Sequence, residues 1–247
     1  MKQILINASQ REELRLAIVE DSRLTELDID LPTKNIKSNI YKGTISRVEP
    51  SLEAAFVNFG RSRHGFLPFK DISPDIFTPG KQKSSRDCIE SGKEIVVQID
   101  KEERGSKGAA LTTYLSLAGK YLVLLPKNPN TGGVSRRLEG NDRQKAKKLL
   151  NDMNVPEGMS VILRTSGLDT NNETLEWDMN YLIQIYESIL ENSVLKKAPF
   201  LIYQESSMLA RVIRDYIDDT INEVIIDDDK FYEDFMNAKE HFIPHSN

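Results

Sequence analysis

The sequence predicts an α+β chain of several small units, with a small β-barrel at its centre and α/β segments around it. Three observations carry this reading. Residues 39–68 hold two β-type runs, 41–48 and 52–59, split by Glu49-Pro50-Ser51; proline presets the turn dihedral and cannot donate to a ladder, which favours a hairpin. Residues 37–167 contain 22 Lys and Arg against 14 Asp and Glu, whereas the flanks contain 11 against 24. A net charge of −5 therefore hides a basic middle of the kind that binds polyanions. From Pro199 onward the pattern turns to strand, helix, strand, helix.

In chain order, residues 3–6 form a short strand, and 15–19 with 24–29 form a hairpin around Glu20-Asp21-Ser22. Residues 31–38 are polar, contain Pro32, and read as a linker. Within the barrel, Gly43 marks a bulge or a sharp bend. Leu52, Ala54 and Phe56 share one strand face and Ala55, Val57 and Phe59 the other, so one of the aromatics is expected outside the core. The cationic turn Gly60-Arg61-Ser62-Arg63-His64-Gly65 then leads into Phe66. Residues 78–86 read as a basic, breaker-rich and mobile loop. Residues 94–99 alternate like a buried strand, 101–108 form a charged turn with glycine, and 109–115 close the barrel.

The next segment opens with a strand at 121–125 and a turn at 126–133. Residues 142–153 have helical spacing, with Ala146, Leu149, Leu150 and Met153 on one side. A strand at 160–164 ends at Thr165-Ser166-Gly167, and a long helix is expected over 175–190. The remaining elements are a strand at 200–203, a helix at 207–217 capped by Ser206 or Ser207, a strand at 223–226 and a helix at 230–242.

With 247 residues there is room for one large domain or two to three small ones. Cys88 is the only cysteine, so no disulfide forms within the chain, which suits a reducing cytoplasm. His64, His241 and His245 have no zinc-like spacing. No apolar run approaches the roughly 20 residues of a membrane span, and the start MKQILINASQ lacks a signal-peptide layout.

The run NIYKGTISRVEPSLEAAFVNFG with RHGFLP closely resembles the S1 RNA-binding domain of the ribonuclease E/G family. KEERGSKGAALTT, GGVSRRLEGNDR, RTSG and PFLIYQES extend the resemblance over essentially the whole chain. It implies an S1/OB-type barrel (37–115) inserted in an interrupted RNase H-like α/β unit (1–36 and 198–247), plus a small α/β 5′-sensor unit (116–197). It also implies RNA binding and 5′-monophosphate sensing for a single-strand-specific endoribonuclease acting in RNA processing and decay. The setting would be cytoplasmic, with peripheral membrane association known in the family.

By resemblance, Phe56, Phe66 and Lys107 contact single-stranded RNA, and Gly119, Val123, Arg136, Arg164 and Thr165 hold a 5′-monophosphate. The residue types suit both tasks. Two rings can sandwich a base and an ammonium can neutralise a phosphate; an arginine fork matches phosphate oxygens, a hydroxyl adds a donor, and backbone N–H groups near glycine allow close approach. From spacing alone, Phe56 and Phe66 read equally well as barrel core, and Arg136 as a solvated charge beside Arg137. His64 has no partner at catalytic spacing and reads as a surface contact.

The full-length family implies Mg²⁺ held by two aspartates, Zn²⁺ joining subunits, and a homo-oligomer. No acidic residue here matches the catalytic pair, which is expected beyond Asn247; no catalytic or metal residue is assigned within the chain. Asp227-Asp228-Asp229 invites Mg²⁺, but at a strand-to-helix turn a helix N-terminal charge effect explains it better. The alternative function is a stand-alone, non-catalytic S1-type RNA-binding protein.

Overall fold

The computed structural model describes residues 1–10, 12–31, 36–76, 89–129, 131–205, 208–217 and 220–242. The loop expected at 78–86, Cys88 and the capping serines Ser206 and Ser207 lie outside them. The chain forms two compact units, Met1–Ile36 with Ser206–Asn247, and Lys37–Glu205.

The first unit is built on a four-stranded sheet. Its strands are β1 (Lys2–Asn7), β2 (Leu14–Glu20), β3 (Arg23–Asp30) and, from the far end of the chain, β14 (Glu223–Ile226), in the order β14-β1-β2-β3. β1 runs parallel to β14 and antiparallel to β2. Alternation puts Ile4, Ile6, Leu16 and Ile18 on a buried face. Met208, Val212, Ile213 and Phe235 supply the helical side of this core. They come from the short helix α3 (Met208–Arg211), the π turn that follows it, and α4 (Asp229–Phe242). The helix expected over 207–217 therefore winds into a wider turn at Val212–Tyr216. Under edge strand β3, Arg211 pairs with Asp28 at 3.2 Å and Asp30 at 3.6 Å, and the Tyr216 hydroxyl donates to Glu26 at 3.2 Å. Burial, with Asp28 and Glu26 nearby, pushes the Tyr216 phenol up to about 12. Inward-facing charge on an edge strand opposes pairing with another chain.

The second unit begins with a closed five-stranded barrel. Its strands are β4 (Ile40–Glu49), β5 (Ala54–Asn58), β6 (Gly65–Pro68), β7 (Glu94–Lys101) and β8 (Ala110–Thr112), ordered β4-β5-β6-β8-β7 and closed by β4 against β7. Only β6 and β8 run parallel. The hairpin expected at Glu49-Pro50-Ser51 forms through a 3₁₀ turn, Pro50–Leu52. Gly43 permits the barrel to bend: a β-carbon there would lie 2.5 Å from Val57. Ile45, Val57, Leu67, Val97, Ile99 and Leu111 are buried, and Phe59 meets Tyr41 edge-on at 5.2 Å.

A second sheet orders β11 (Gly133–Val134), β12 (Met159–Leu163), β10 (Leu122–Pro126) and β9 (Leu117–Ala118). Helix α1 (Gly140–Asn151) links the parallel strands β11 and β12, and α2 (Asn172–Leu195) lays Leu175, Met179, Leu182 and Ile189 into the core. The Asn171 side chain caps α2 by accepting from the Thr174 N–H at 2.8 Å. Ile40 and Val96 of the barrel join Leu117, Leu122 and Leu163 in one apolar cluster. Barrel and second sheet thus share part of one apolar core. Strand β13 (Phe200–Tyr203), grouped by sequence with the trailing α/β segment, instead pairs with β4 at Ile40–Lys42.

Candidate nucleic-acid interface

On the barrel, β5 and β6 bring two of the expected residues together. Phe56 and Phe66 are cross-strand partners, each half-buried, with ring centroids 5.9 Å apart and planes inclined by 70°. Rings so close and so steeply inclined leave no gap for a third ring between them. The alternation is decided in favour of Phe59 as core, at 1% exposure, with Phe56 on the outer face.

Three neighbours complete this surface. Arg47, opposite Phe56 on β4, sets its guanidinium carbon 4.9 Å from the Phe56 ring centroid and pairs with Glu49 at 3.1 Å. The Ser46 hydroxyl donates to the Phe56 carbonyl at 3.0 Å, so at the 2.9 Å contact His64 Nδ1–H is the donor to Ser46. Ser46, Arg47, Phe56 and His64 line an open hollow of about 320 Å³. Lys107 is exposed on a turn closed by paired backbone bonds with Arg104. A β-carbon on Gly108 would fall 2.3 Å from the His64 carbonyl oxygen, so only glycine lets this turn lie against the approach to Phe66.

The other expected residues gather at one end of the second sheet. Arg164 directly follows β12, half-buried, its backbone N–H donating to the Tyr121 carbonyl at 2.8 Å and its Nη1 to the Gly119 carbonyl at 2.5 Å. Thr165 follows it, exposed. Val123 lies half-buried on β10 between Ala118 and Ile162. Arg136 is exposed just beyond Ser135, whose N–H donates to the Leu163 carbonyl at 2.9 Å, so its backbone flanks the same strand end.

One chemical expectation changes here. The backbone N–H groups of the 119–122 loop are not offered to an outside ligand. Gly119 donates to the Leu122 carbonyl at 2.8 Å, and Lys120, Tyr121 and Leu122 donate to the Asp178 carboxylate at 3.2, 2.9 and 2.8 Å. Asp178 is fully buried on α2. Burial pushes its carboxyl up, against the downward pull of those three N–H bonds and of Arg164. Sequence reading missed Asp178, although a carboxylate among Leu175, Met179 and Leu182 was a visible irregularity in an apolar stripe. It missed Arg47 too, which the hairpin register about Pro50 places opposite Phe56.

The Asp227-Asp228-Asp229 run does not fit a metal. Asp227 accepts from the N–H groups of Ala8 at 2.6 Å and Ser9 at 3.2 Å, from the Ser9 hydroxyl, and from the Asn7 amide. These bonds, that from Ala8 foremost, hold its carboxyl below the ordinary value. Asp228 caps α4 by accepting from Phe231 N–H at 2.8 Å. Among the described residues no three His, Cys, Asp or Glu side chains group as metal ligands, and no helix is long and apolar enough to cross a membrane.

Comparison with known proteins accords with this geometry. Residues 34–113 match the S1 RNA binding domain and residues 116–247 the Ribonuclease E/G family. Ribonuclease E of Haemophilus influenzae is 51% identical over 246 residues, covering 98% of this chain and 26% of that protein. Ribonuclease E of Escherichia coli is 50% identical over 238 residues, 94% of this chain and 22% of that protein. Ribonuclease G of Escherichia coli is 31% identical over 251 residues, 98% of this chain and 51% of that protein. The chain thus spans a minor part of the length of its ribonuclease E relatives, and it belongs to the ribonuclease E/G family.

Proposed function

We propose that this chain binds single-stranded RNA on its barrel and holds the RNA's 5′-monophosphate at the Arg164 corner, on behalf of a ribonuclease E/G-type endonuclease. The observation that carries the reading is the half-buried Phe56–Phe66 pair with Arg47 across the strand. A single strand needs stacking platforms beside cations, and here both stand outside a core already filled by Phe59. Lys107 and Arg47 meet phosphates while a base stacks on Phe56 or Phe66.

At the second sheet, one N–H of Arg164 is anchored to Gly119, which sets the plane of the fork. A terminal monophosphate carries more charge and more free oxygens than an internal diester, so it gains more from a forked cation beside the Thr165 hydroxyl. Arg136 adds charge at the same sheet end, and Val123 presents an apolar flank.

The unit containing β1 is read as RNase H-like, supported by its β14-β1-β2-β3 order and the parallel β1–β14 pair. Single-strand cleavage with Mg²⁺, Zn²⁺-linked assembly and a cytoplasmic setting belong, in this reading, to the longer ribonuclease E-type enzyme. Among the described residues no three His, Cys, Asp or Glu side chains group as ligands for either ion.

The test compares affinities for one short RNA bearing a 5′-phosphate or a 5′-hydroxyl, at fixed salt, in wild type and Arg164→Ala. Charge-assisted hydrogen bonds contribute about 1.5–3 kcal/mol each, so wild type should prefer the phosphate roughly tenfold or more and the variant should not. Equal affinity for both ends in folded wild type overturns the 5′-end reading; failure to bind either RNA overturns the whole.

A further inference from the structure

We infer that Asp178 is a positioning residue for the terminal-phosphate site: it gathers the N–H groups of Lys120, Tyr121 and Leu122 and so fixes the Gly119 carbonyl that orients the Arg164 guanidinium. The inference rests on the 5′-end reading above and adds the device that makes such a site selective.

Three backbone N–H groups converging from successive residues form an anion-binding concavity. In this chain the anion is internal. Asp178 fills the concavity with bonds of 3.2, 2.9 and 2.8 Å, and the fit leaves no space for a side chain on Gly119, whose β-carbon would meet the carboxylate at 2.5 Å. The 119–122 loop is thereby held from beneath. Its Gly119 carbonyl points to Arg164 Nη1, and its Tyr121 carbonyl accepts the Arg164 N–H at 2.8 Å. Side chain and backbone of Arg164 are thus both tied to a loop that Asp178 organises. The Ser166 hydroxyl donates to the Lys120 carbonyl at 2.6 Å, binding the far side of the Arg164–Thr165 turn to the same loop.

Position 178 lies on the apolar stripe of α2 between Leu175 and Leu182, where a buried ion is costly and an aliphatic side chain would pack. What an aliphatic residue could not do is satisfy three converging donors and draw a guanidinium to a fixed place. A forked cation distinguishes a terminal phosphate from a diester only when its plane is set, and Asp178 sets it from inside the core.

The experiment measures the ratio of affinities for 5′-phosphate and 5′-hydroxyl forms of one short RNA. It uses the full chain as wild type, Asp178→Asn and Leu182→Ala, the last removing core volume from the same helix. Asp178→Asn should lose the preference by about tenfold or more, with 5′-hydroxyl binding unchanged, and Leu182→Ala should keep the wild-type ratio. A ratio retained in Asp178→Asn, or lost equally in Leu182→Ala, overturns the positioning role while leaving the 5′-end reading intact. A wild-type ratio of one overturns both. Should Asp178→Asn fail to fold, wild type alone decides. Saturating 5′-phosphate RNA, but not 5′-hydroxyl RNA, should move the Asp178 carboxyl carbon resonance and slow hydrogen exchange at the amides of Lys120, Tyr121 and Leu122. Identical responses to the two RNAs overturn the inference.

Discussion

Gly119 stands so close to Asp178 that a β-carbon on it would lie 2.5 Å from one carboxylate oxygen and 2.6 Å from the other. Neither side can yield cheaply, because the carboxylate is pinned by three backbone donors. Gly119→Ala should therefore destabilise the barrel-containing unit by about 1–3 kcal/mol, the usual cost of overpacking. It should also weaken discrimination between 5′-phosphate and 5′-hydroxyl RNA, since the displaced loop carries the Arg164 anchor. Thermal melting and paired binding measurements on one preparation check both effects. An alanine variant as stable as wild type would contradict the packing argument.

The two phenylalanines of β5 and its end should respond to truncation in opposite ways. Phe59 is 1% exposed and meets Tyr41 edge-on, so Phe59→Ala should cost about 3–5 kcal/mol of stability. Phe56 is half-buried on the outer face; Phe56→Ala should melt close to wild type yet bind single-stranded RNA about 1–3 kcal/mol more weakly. Arg47→Ala should weaken binding further than its surface ion pair with Glu49 would suggest, because it also removes a cation from the Phe56 ring. A well-folded Phe56→Ala with wild-type RNA affinity would remove the stacking role.

Strand alternation and turn chemistry carried much of this structure into view. The proline turn before Leu52, the need for glycine at position 43 and the opposite facing of Phe56 and Phe59 are local properties, readable over a few residues. What stayed hidden is non-local. Asp178 meets donors 56 to 58 residues away, and nothing near it in sequence announces them. The 200–203 run reads as part of the trailing α/β segment, and only the fold shows Phe200 opposite Lys42. The family resemblance likewise implied backbone donors near Gly119, but whether an N–H is spare depends on what lies beneath it.

The acidic run at 227–229 should ignore magnesium. Both oxygens of Asp227 are committed to Ala8, Ser9 and Asn7, and one oxygen of Asp228 to the first turn of α4, a poor set for a hard cation that takes roughly six or more oxygen ligands. Millimolar Mg²⁺ should leave the melting behaviour unchanged, and the 247-residue chain should bind a labelled single strand without metal-dependent cutting. Asp228→Ala should instead cost about 0.5–2 kcal/mol through loss of the helix cap. Cutting that persists through independent purifications, and is abolished by Asp227→Asn, would restore a metal role.

Asp227 should also leave a signature in acid. Its carboxyl is held below the ordinary 3.8, chiefly by the Ala8 N–H and also by Asn7 and Ser9. A carboxylate with a depressed folded-state value stabilises the fold fully at pH values above its unfolded value, and that stabilisation is lost as pH falls through the folded value. The difference in stability between wild type and Asp227→Asn should therefore be constant from neutral pH down toward 3.8 and shrink below it. The group is well exposed, so solvent screening keeps the effect small, and a local probe serves better than global melting. The protection factor of the Ala8 amide, which donates to Asp227 at 2.6 Å, should be high in wild type at neutral pH and fall as acidification passes the carboxyl's folded-state value. In Asp227→Asn it should be low throughout, with little dependence on pH. Protection at Ala8 that persists unchanged in the variant, or that strengthens as wild type is acidified, would show that the Asp227 carboxylate is not what holds the end of β1.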